Sequence, residues 1–158
     1  LKGRGQRHKI RLGDGSFELI DESYNASPAA VRAALSVLSS TRPGTGGRRI
    51  AVLGDMRELG AAAPQLHAEL ADSLALAGVD LALTCGPLMA MLHEALSRER
   101  RGAHAPDAQA LVPAVLAAVR PGDVVLVKGS LGSRMAPIVE ALTRLDGADR
   151  PARAANGT

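Results

Sequence analysis

The residues best suited to chemistry fall in three short segments, each an apolar run that ends in polar residues and glycines. The first is Leu19-Ile20-Asp21-Glu22-Ser23-Tyr24-Asn25-Ala26-Ser27-Pro28. Its polar burst is followed by Pro28, which opens an Ala- and Leu-rich helix. A strand, a polar loop and a helix start in that order put side chains and free N–H groups at the carboxyl edge of a sheet, where α/β folds bind ligands. The plainer reading of the same residues is an N-capped helix, with Ser27 as cap and Pro28 in the first helical position. The second segment, Arg49 to Gly60, contains Gly54-Asp55-Met56-Arg57-Glu58-Leu59-Gly60. Paired carboxylates suit metal or acid–base chemistry, whereas a tight turn closed by backbone bonds to Asp55 needs no ligand at all. The third segment, Val124 to Arg134, carries Lys128-Gly129-Ser130-Leu131-Gly132-Ser133-Arg134. Its glycines permit close backbone approach and the following helix start attracts anions, although a phosphate-loop lookalike without a ligand has the same pattern. His67, early in the helix after the second segment, either faces that loop or lies on the helix surface. The four histidines show no metal-ligand spacing.

The elements that must position these loops follow from periodicity. Arg7 to Leu12 alternates polar and apolar residues as a half-exposed strand, Gly13-Asp14-Gly15-Ser16 is a hairpin turn, and Phe17 to Asp21 is the returning strand. Pro28 to Ser40 is a helix with Val31, Leu35 and Leu38 on one face, stopped by the Pro- and Gly-rich stretch 41–47. Strands are expected at Arg49–Leu53, Leu81–Cys85, Ala103–Ala105 and Val124–Lys128. Helices are expected at Pro64–Ala77, Pro87–Arg98, Asp107–Val119, whose first residue can cap it, and Ser133–Arg144. The apolar runs at Ile50, Leu81 and Val124 indicate strands covered on both faces, and therefore a mainly parallel sheet. The fold class is α/β: a Rossmann-like three-layer sandwich with an N-terminal antiparallel hairpin. Residues 147–158, rich in Ala, Pro and Gly, read as a disordered tail after a domain of residues 1–146.

Composition narrows the function. A chain of 158 residues is one domain with room for a normal core, and its two aromatic residues, Phe17 and Tyr24, require that core to be aliphatic. A net charge of +3, with basic residues scattered among acids, offers no stripe for nucleic acid. The lone Cys85 cannot form an internal disulfide and ends an apolar run as a small hydrophobe, which fits a reducing, cytoplasmic setting. No apolar run approaches the length of a membrane span and the N-terminus is not a signal peptide. Leu1 is not a natural start, so the chain is expected to be a piece of a longer protein, and it contains no Walker A loop.

The motifs D-[DE]-S-Y-N-A-[NS]-P, G-D-M-x-E-L-G and V-K-G-S, in this order and spacing, resemble the C-terminal domain of the Mur ligases over roughly residues 3–145. The resemblance implies an ATP-dependent amide ligation in peptidoglycan synthesis, in the branch that joins D-alanyl-D-alanine to UDP-N-acetylmuramoyl-tripeptide. ATP phosphorylates the tripeptide carboxylate, the dipeptide amine attacks the acyl phosphate, and phosphate leaves. It also implies that the Walker lysine and the Mg²⁺ ligands lie in a central domain outside this chain. This domain would then be a lid, inactive alone, monomeric, and partnered by its own N-terminal and central domains. Residue by residue, Arg4 matches the arginine that reaches the ATP γ-phosphate, a task suited to a planar, permanently charged fork. Asp21 matches the acid that holds the ribose hydroxyls, and Tyr24 and Asn25 match positions around the adenine and the interdomain seam. The Lys128 loop matches one beside the incoming amino-acid substrate, so Lys128, Ser130 and Arg134 are candidates for the dipeptide carboxylate. Glu22 and Ser27 replace the commoner Asp and Asn, and Leu131 stands where many members have Arg. A relative such as a folylpolyglutamate or cyanophycin synthetase is the alternative within the enzyme class, and the Tyr24-Asn25-Ala26 and Gly54-Asp55-Met56 motifs argue against both. A stand-alone nucleotide-binding or interaction module is the alternative of another class, weakened in its dinucleotide form by the lack of a G-x-G-x-x-G after the first apolar strand.

Overall fold

The structure, a computed structural model, describes residues 2–149. Strand β1 (Gln6–Leu12) returns through the two-residue turn Gly13-Asp14 into β2 (Gly15–Glu22), and Gly13 supplies the positive φ of 59° at the first turn position. Helix α1 (Pro28–Ser40) follows, capped by Ser27, whose Oγ accepts the Ala30 N–H at 3.1 Å. Next come β3 (Arg49–Gly54), α2 (Ala63–Leu76), β4 (Leu81–Cys85), α3 (Met89–Ala95), β5 (Arg101–Ala105), α4 (Ala108–Ala118), β6 (Val124–Lys128) and α5 (Ala136–Thr143). Short 3₁₀ turns at Gly60–Ala62 and Leu131–Ser133 precede α2 and α5.

Six strands form one sheet in the order β1-β2-β6-β3-β4-β5, parallel except for the β1–β2 hairpin. Because strand side chains alternate, each apolar run feeds two cores. Val124 and Leu126 join Ala51, Leu53 and Ile20 beneath α1, α2 and α3. Val125 and Val127 join Ile50, Val52 and Leu19 beneath α4 and α5. Every residue of β6 is buried, as its central place demands.

The expected α/β architecture is the observed one, with local corrections. Helix α3 ends at Ala95 rather than Arg98, because Leu96 turns extended (ψ 144°) and buries its side chain. Strand β5 is two residues longer than expected. As an edge strand with Arg101 and Ala103 exposed, it lacks the apolar run that marks the others. Helix α5 starts at Ala136, since the 3₁₀ turn before it closes on Arg134 in the left-handed region (φ 51°). Part of the expected tail is held: the Gly147 N–H donates to the Arg11 carbonyl at 2.9 Å and the Gly13 N–H to the Ala148 carbonyl at 3.0 Å. Residues 150–158 of that tail lie outside the described residues. Among the described residues no helix is long and apolar enough to cross a membrane.

At the amino-terminal edge, Asp123 joins β3 to β6. Its carboxylate accepts the Arg48 backbone N–H (2.9 Å), the Arg48 guanidinium (3.0 Å) and the Arg120 N–H (2.8 Å), and it is 2% exposed. Removing it strands several buried donors. Asp123→Ala is therefore expected to cost about 2–4 kcal/mol in urea unfolding, and Asp123→Asn less.

On the opposite flank the His104 Nδ1 lies 2.8 Å from the Thr84 hydroxyl, and its ring centroid lies 5.3 Å from that of His93 on α3. Burial first, and then the neighbouring His93, pushes the His104 pKa below its ordinary value of 6.5, against a small opposing pull from Asp55. The unfolded chain thus binds this proton more readily than the folded one. The stability from a neutral His104 is complete above the unfolded pKa and is lost as pH falls through the folded one. Chemical denaturation at pH values stepped from about 7.5 to 5.5 should show this fall, and His104→Gln should flatten it.

Candidate functional site

At their carboxyl ends the strands separate the helices. The loops after β2 and β3 lead to α1 and α2 on one face, and the loop after β6, which lies between them, leads to α5 on the other. Such a reversal opens a crevice on each side of β6. Register places Glu22 opposite Lys128 and Lys128 opposite Leu53, so the three polar segments of the sequence meet here.

Beside the first loop runs the segment Gly3-Arg4-Gly5. The Tyr24 N–H donates to the Gly3 carbonyl (3.0 Å) and the Gly5 N–H to the Asp21 carbonyl (2.9 Å). Gly3 takes φ 80° in a space where a Cβ would press on Ser23 and Tyr24, which fixes Arg4 between two glycines. The Arg4 Cζ sits 4.0 Å from the centroid of the Tyr24 ring, with both side chains exposed. Arg4 is therefore a stacked, positioned cation whose guanidinium has no ion pair among the described residues. Asn25 is exposed, its Oδ1 accepting the Ala26 N–H at 2.8 Å. Asp21 differs: it is 2% exposed and its Oδ1 accepts the Ser23 N–H at 3.0 Å, so in this arrangement it shapes the loop from within.

The second loop corrects the turn reading of Asp55. Its carboxylate closes no turn of its own but crosses to the next strand–helix junction, accepting the Leu88 N–H (3.2 Å) and the Met89 N–H (2.8 Å) at the start of α3. Gly86 adopts φ 103° beside it, where any Cβ would run into that carboxylate. His67 faces the loop from the interior, fully buried. Its Nε2 accepts the Met56 N–H at 2.9 Å and its Nδ1 lies 2.6 Å from the Ala63 carbonyl, so the proton is assigned to Nδ1. Glu58 is exposed at φ 62° and touches neither group.

The third loop separates residues that the sequence grouped. The Lys128 ammonium is buried and lies 3.4 Å from Glu22. The Ser130 hydroxyl caps the 3₁₀ turn by accepting the Ser133 N–H (3.2 Å), and the Ser130 N–H donates to the Asp55 carbonyl (3.2 Å). Only Arg134 opens onto the cleft of about 480 Å³ between the ends of β3, β4 and β5, the start of α4 and the turn before α5. Arg57, Asp107 and Gln109 also line it, and sequence reasoning missed all three. Arg57 stood inside a quoted motif without a role, and Asp107 was assigned only as a helix cap, which it is: its Oδ1 accepts the Ala110 N–H at 2.8 Å. Cys85, at the base of this cleft, has its thiol pKa pushed up to about 12, by burial first and then by Asp55 and Asp107, so it stays protonated and inert. A second hollow of about 460 Å³ lies at the opposite edge between β1, β2 and Gly122, where Glu18 and Asp123 are already paired with arginines. Among the described residues no group of three or more His, Cys, Asp or Glu is arranged to hold a metal.

A strand-end crevice with a stacked arginine, a glycine-packed pair of loops and a cleft beside them mark an α/β domain whose polar loops gather at the carboxyl edge of its sheet. Residues 3–131 match the Mur ligase family in the unit described as the glutamate ligase domain, and the chain belongs to that family. It is 31% identical to the UDP-N-acetylmuramoyl-tripeptide–D-alanyl-D-alanine ligase of Bacillus subtilis, matching across 90% of this chain and 31% of that protein. It is 32% identical to the ligase of the same name from Escherichia coli, across 87% of this chain and 29% of that protein. The crystal structure of a MurF ligase from Thermotoga maritima in complex with ADP superposes with a TM-score of 0.71 at 26% identity, covering 92% of this chain and 31% of the other. The chain thus spans about a third of the length of the curated relatives it matches.

The Asp55 bridge can be tested on this domain alone. Asp55→Ala should destabilise it by about 1–2 kcal/mol, the usual loss for a helix-start acceptor. Gly86→Ala should cost about 1–3 kcal/mol from the forced backbone alone, with more from displacing the carboxylate. Amide hydrogen exchange at Leu88 and Met89 should accelerate in both variants, and unchanged exchange would remove Asp55 from this role.

Proposed function

We propose that this chain is the C-terminal lid of an ATP-dependent ligase that joins D-alanyl-D-alanine to UDP-N-acetylmuramoyl-tripeptide. The observation that carries the reading is Arg4, held over Tyr24 with its guanidinium open at the carboxyl edge of the sheet, in a chain whose relatives bear that ligase name. Arg4 is the group that would meet the ATP γ-phosphate, since a planar fork on a preset ring gives orientation as well as charge. Tyr24 and Asn25, exposed next to it, fit the base side of the nucleotide. Asp21 reaches the ribose hydroxyls only if its carboxylate turns outward from the Ser23 amide, a movement that closure onto nucleotide would have to drive. As positioned, its role is to hold the loop that presents Tyr24.

ATP supplies the phosphoryl group that activates the tripeptide carboxylate. Mg²⁺ and its ligands, with the Walker lysine, are assigned to a central domain outside this chain. Within the chain, the Lys128–Glu22 pair and the Ser130 cap keep the β6 loop in shape, and Arg134 supports the carboxylate of the incoming dipeptide. The domain by itself would then be a monomer without turnover, working in the cytoplasm only when joined to its N-terminal and central domains. A stand-alone binding module would instead bind ATP without needing those domains, and isothermal titration of this chain with ATP separates the two. Weak or absent binding supports the lid, and tight binding refutes it.

In the full-length ligase, Arg4→Ala is expected to lower kcat by about 10³-fold, as loss of an arginine that stabilises phosphoryl transfer does. Arg4→Lys should also be impaired, because it keeps the charge without the fork. Both should melt within a degree or two of the wild type, since an exposed cation over a ring contributes only about 0.5–1 kcal/mol. Near-normal kcat in Arg4→Ala would end this assignment.

A further inference from the structure

We infer that Arg57 joins Arg134 in a two-guanidinium clamp for the C-terminal carboxylate of the incoming dipeptide, which makes Arg57 a specificity-determining residue. This rests on the ligase reading above and deepens it. Lys128, the obvious cation of the third loop, is 5% exposed and paired with Glu22, so its ammonium does not line this cleft. The cleft of about 480 Å³ instead takes its positive charge from Arg57 on the loop after β3 and Arg134 on the loop after β6. Neither arginine has an ion pair among the described residues. The two acids of the cleft form no ion pair with them among the described residues. Asp55 is buried and occupied by two amides, and Asp107 caps α4.

Arg57 is also anchored. Asp55 and Met56 before it are buried, and the Met56 N–H is tied to His67. Its guanidinium lies over Gly132, where a Cβ would come within 3.2 Å of the Arg57 Nε, so the lack of a side chain at 132 makes room for it. Two guanidinium groups reaching one cleft from different loops suit a carboxylate, which accepts bonds at both oxygens. Pro87, Pro106, Ala108 and Pro137 supply the short apolar walls that methyl side chains would meet.

The test is steady-state kinetics of the full-length ligase with D-alanyl-D-alanine and with its C-terminal amide, which lacks the carboxylate charge. Arg57→Ala is expected to raise the KM for the dipeptide about 10- to 100-fold, the range for one lost charge-assisted bond, while the KM for ATP and kcat stay near wild type. It should also shrink the preference for acid over amide. Arg57→Lys should recover part of both effects, and Gly132→Ala, which keeps the charge but crowds it, should raise the dipeptide KM alone. If wild type turns over D-alanyl-D-alanine and Arg57→Ala leaves its KM and the acid-over-amide preference unchanged, or shifts only the ATP term, the clamp is overturned and the ligase reading stands. If wild type does not use D-alanyl-D-alanine at all, the ligase reading falls and takes the clamp with it.

Discussion

The arrangement at the carboxyl edge depends on one buried carboxylate. Asp55 leaves the end of β3, the strand next to the sheet centre, and accepts the first free amides of α3 across the β4 junction. Its own carbonyl receives the Ser130 N–H of the β6 loop. A single residue thus ties three strand ends together. An anion is stabilised there by the positive end of a helix, and the helix gains partners for amides that would otherwise face a half-buried cleft. The cost of burying the charge is met by two amide bonds, and Gly86 provides the space they need.

Glycines let the neighbouring loops come close enough for this. A Cβ at Gly129 would press into Met135 and Ser133, and one at Gly54 into the same two residues. The β3 and β6 loops therefore meet through backbone and through the thioether of Met135, which is wholly buried and also meets the Cys85 thiol at 3.6 Å. The result is a rigid floor. Four side chains stand on it, Arg4 and Tyr24 at one end and Arg57 and Arg134 at the other. Leu131, 65% exposed, projects from the same rim. Groups fixed in place in this way lose little conformational freedom when they meet a ligand.

The sequence by itself determined the layers and most of the elements. Continuous apolar runs at Ile50 and Val124 can be buried only with both faces covered, and that physical demand made the sheet parallel and three-layered. Ser27 with Pro28, and Asp107 before α4, announced helix starts because their chemistry is local: the cap bonds an amide three residues away. Where the signal was not local, reading along the chain failed. Strand β5 was short in the sequence because an edge strand needs no apolar run, and α3 was too long because burial of Leu96 ended it. Tertiary structure alone decided which polar residues turn inward and which line the cleft. Lys128 is drawn inward because register sets it opposite Glu22, Asp55 serves a helix 33 residues ahead, and Arg57 shares a cleft with Arg134 because β3 and β6 are neighbours in space. Side-chain type and spacing fix what a residue can do. Which strand lies beside it decides whether that capacity is spent inside the fold or left open at the surface.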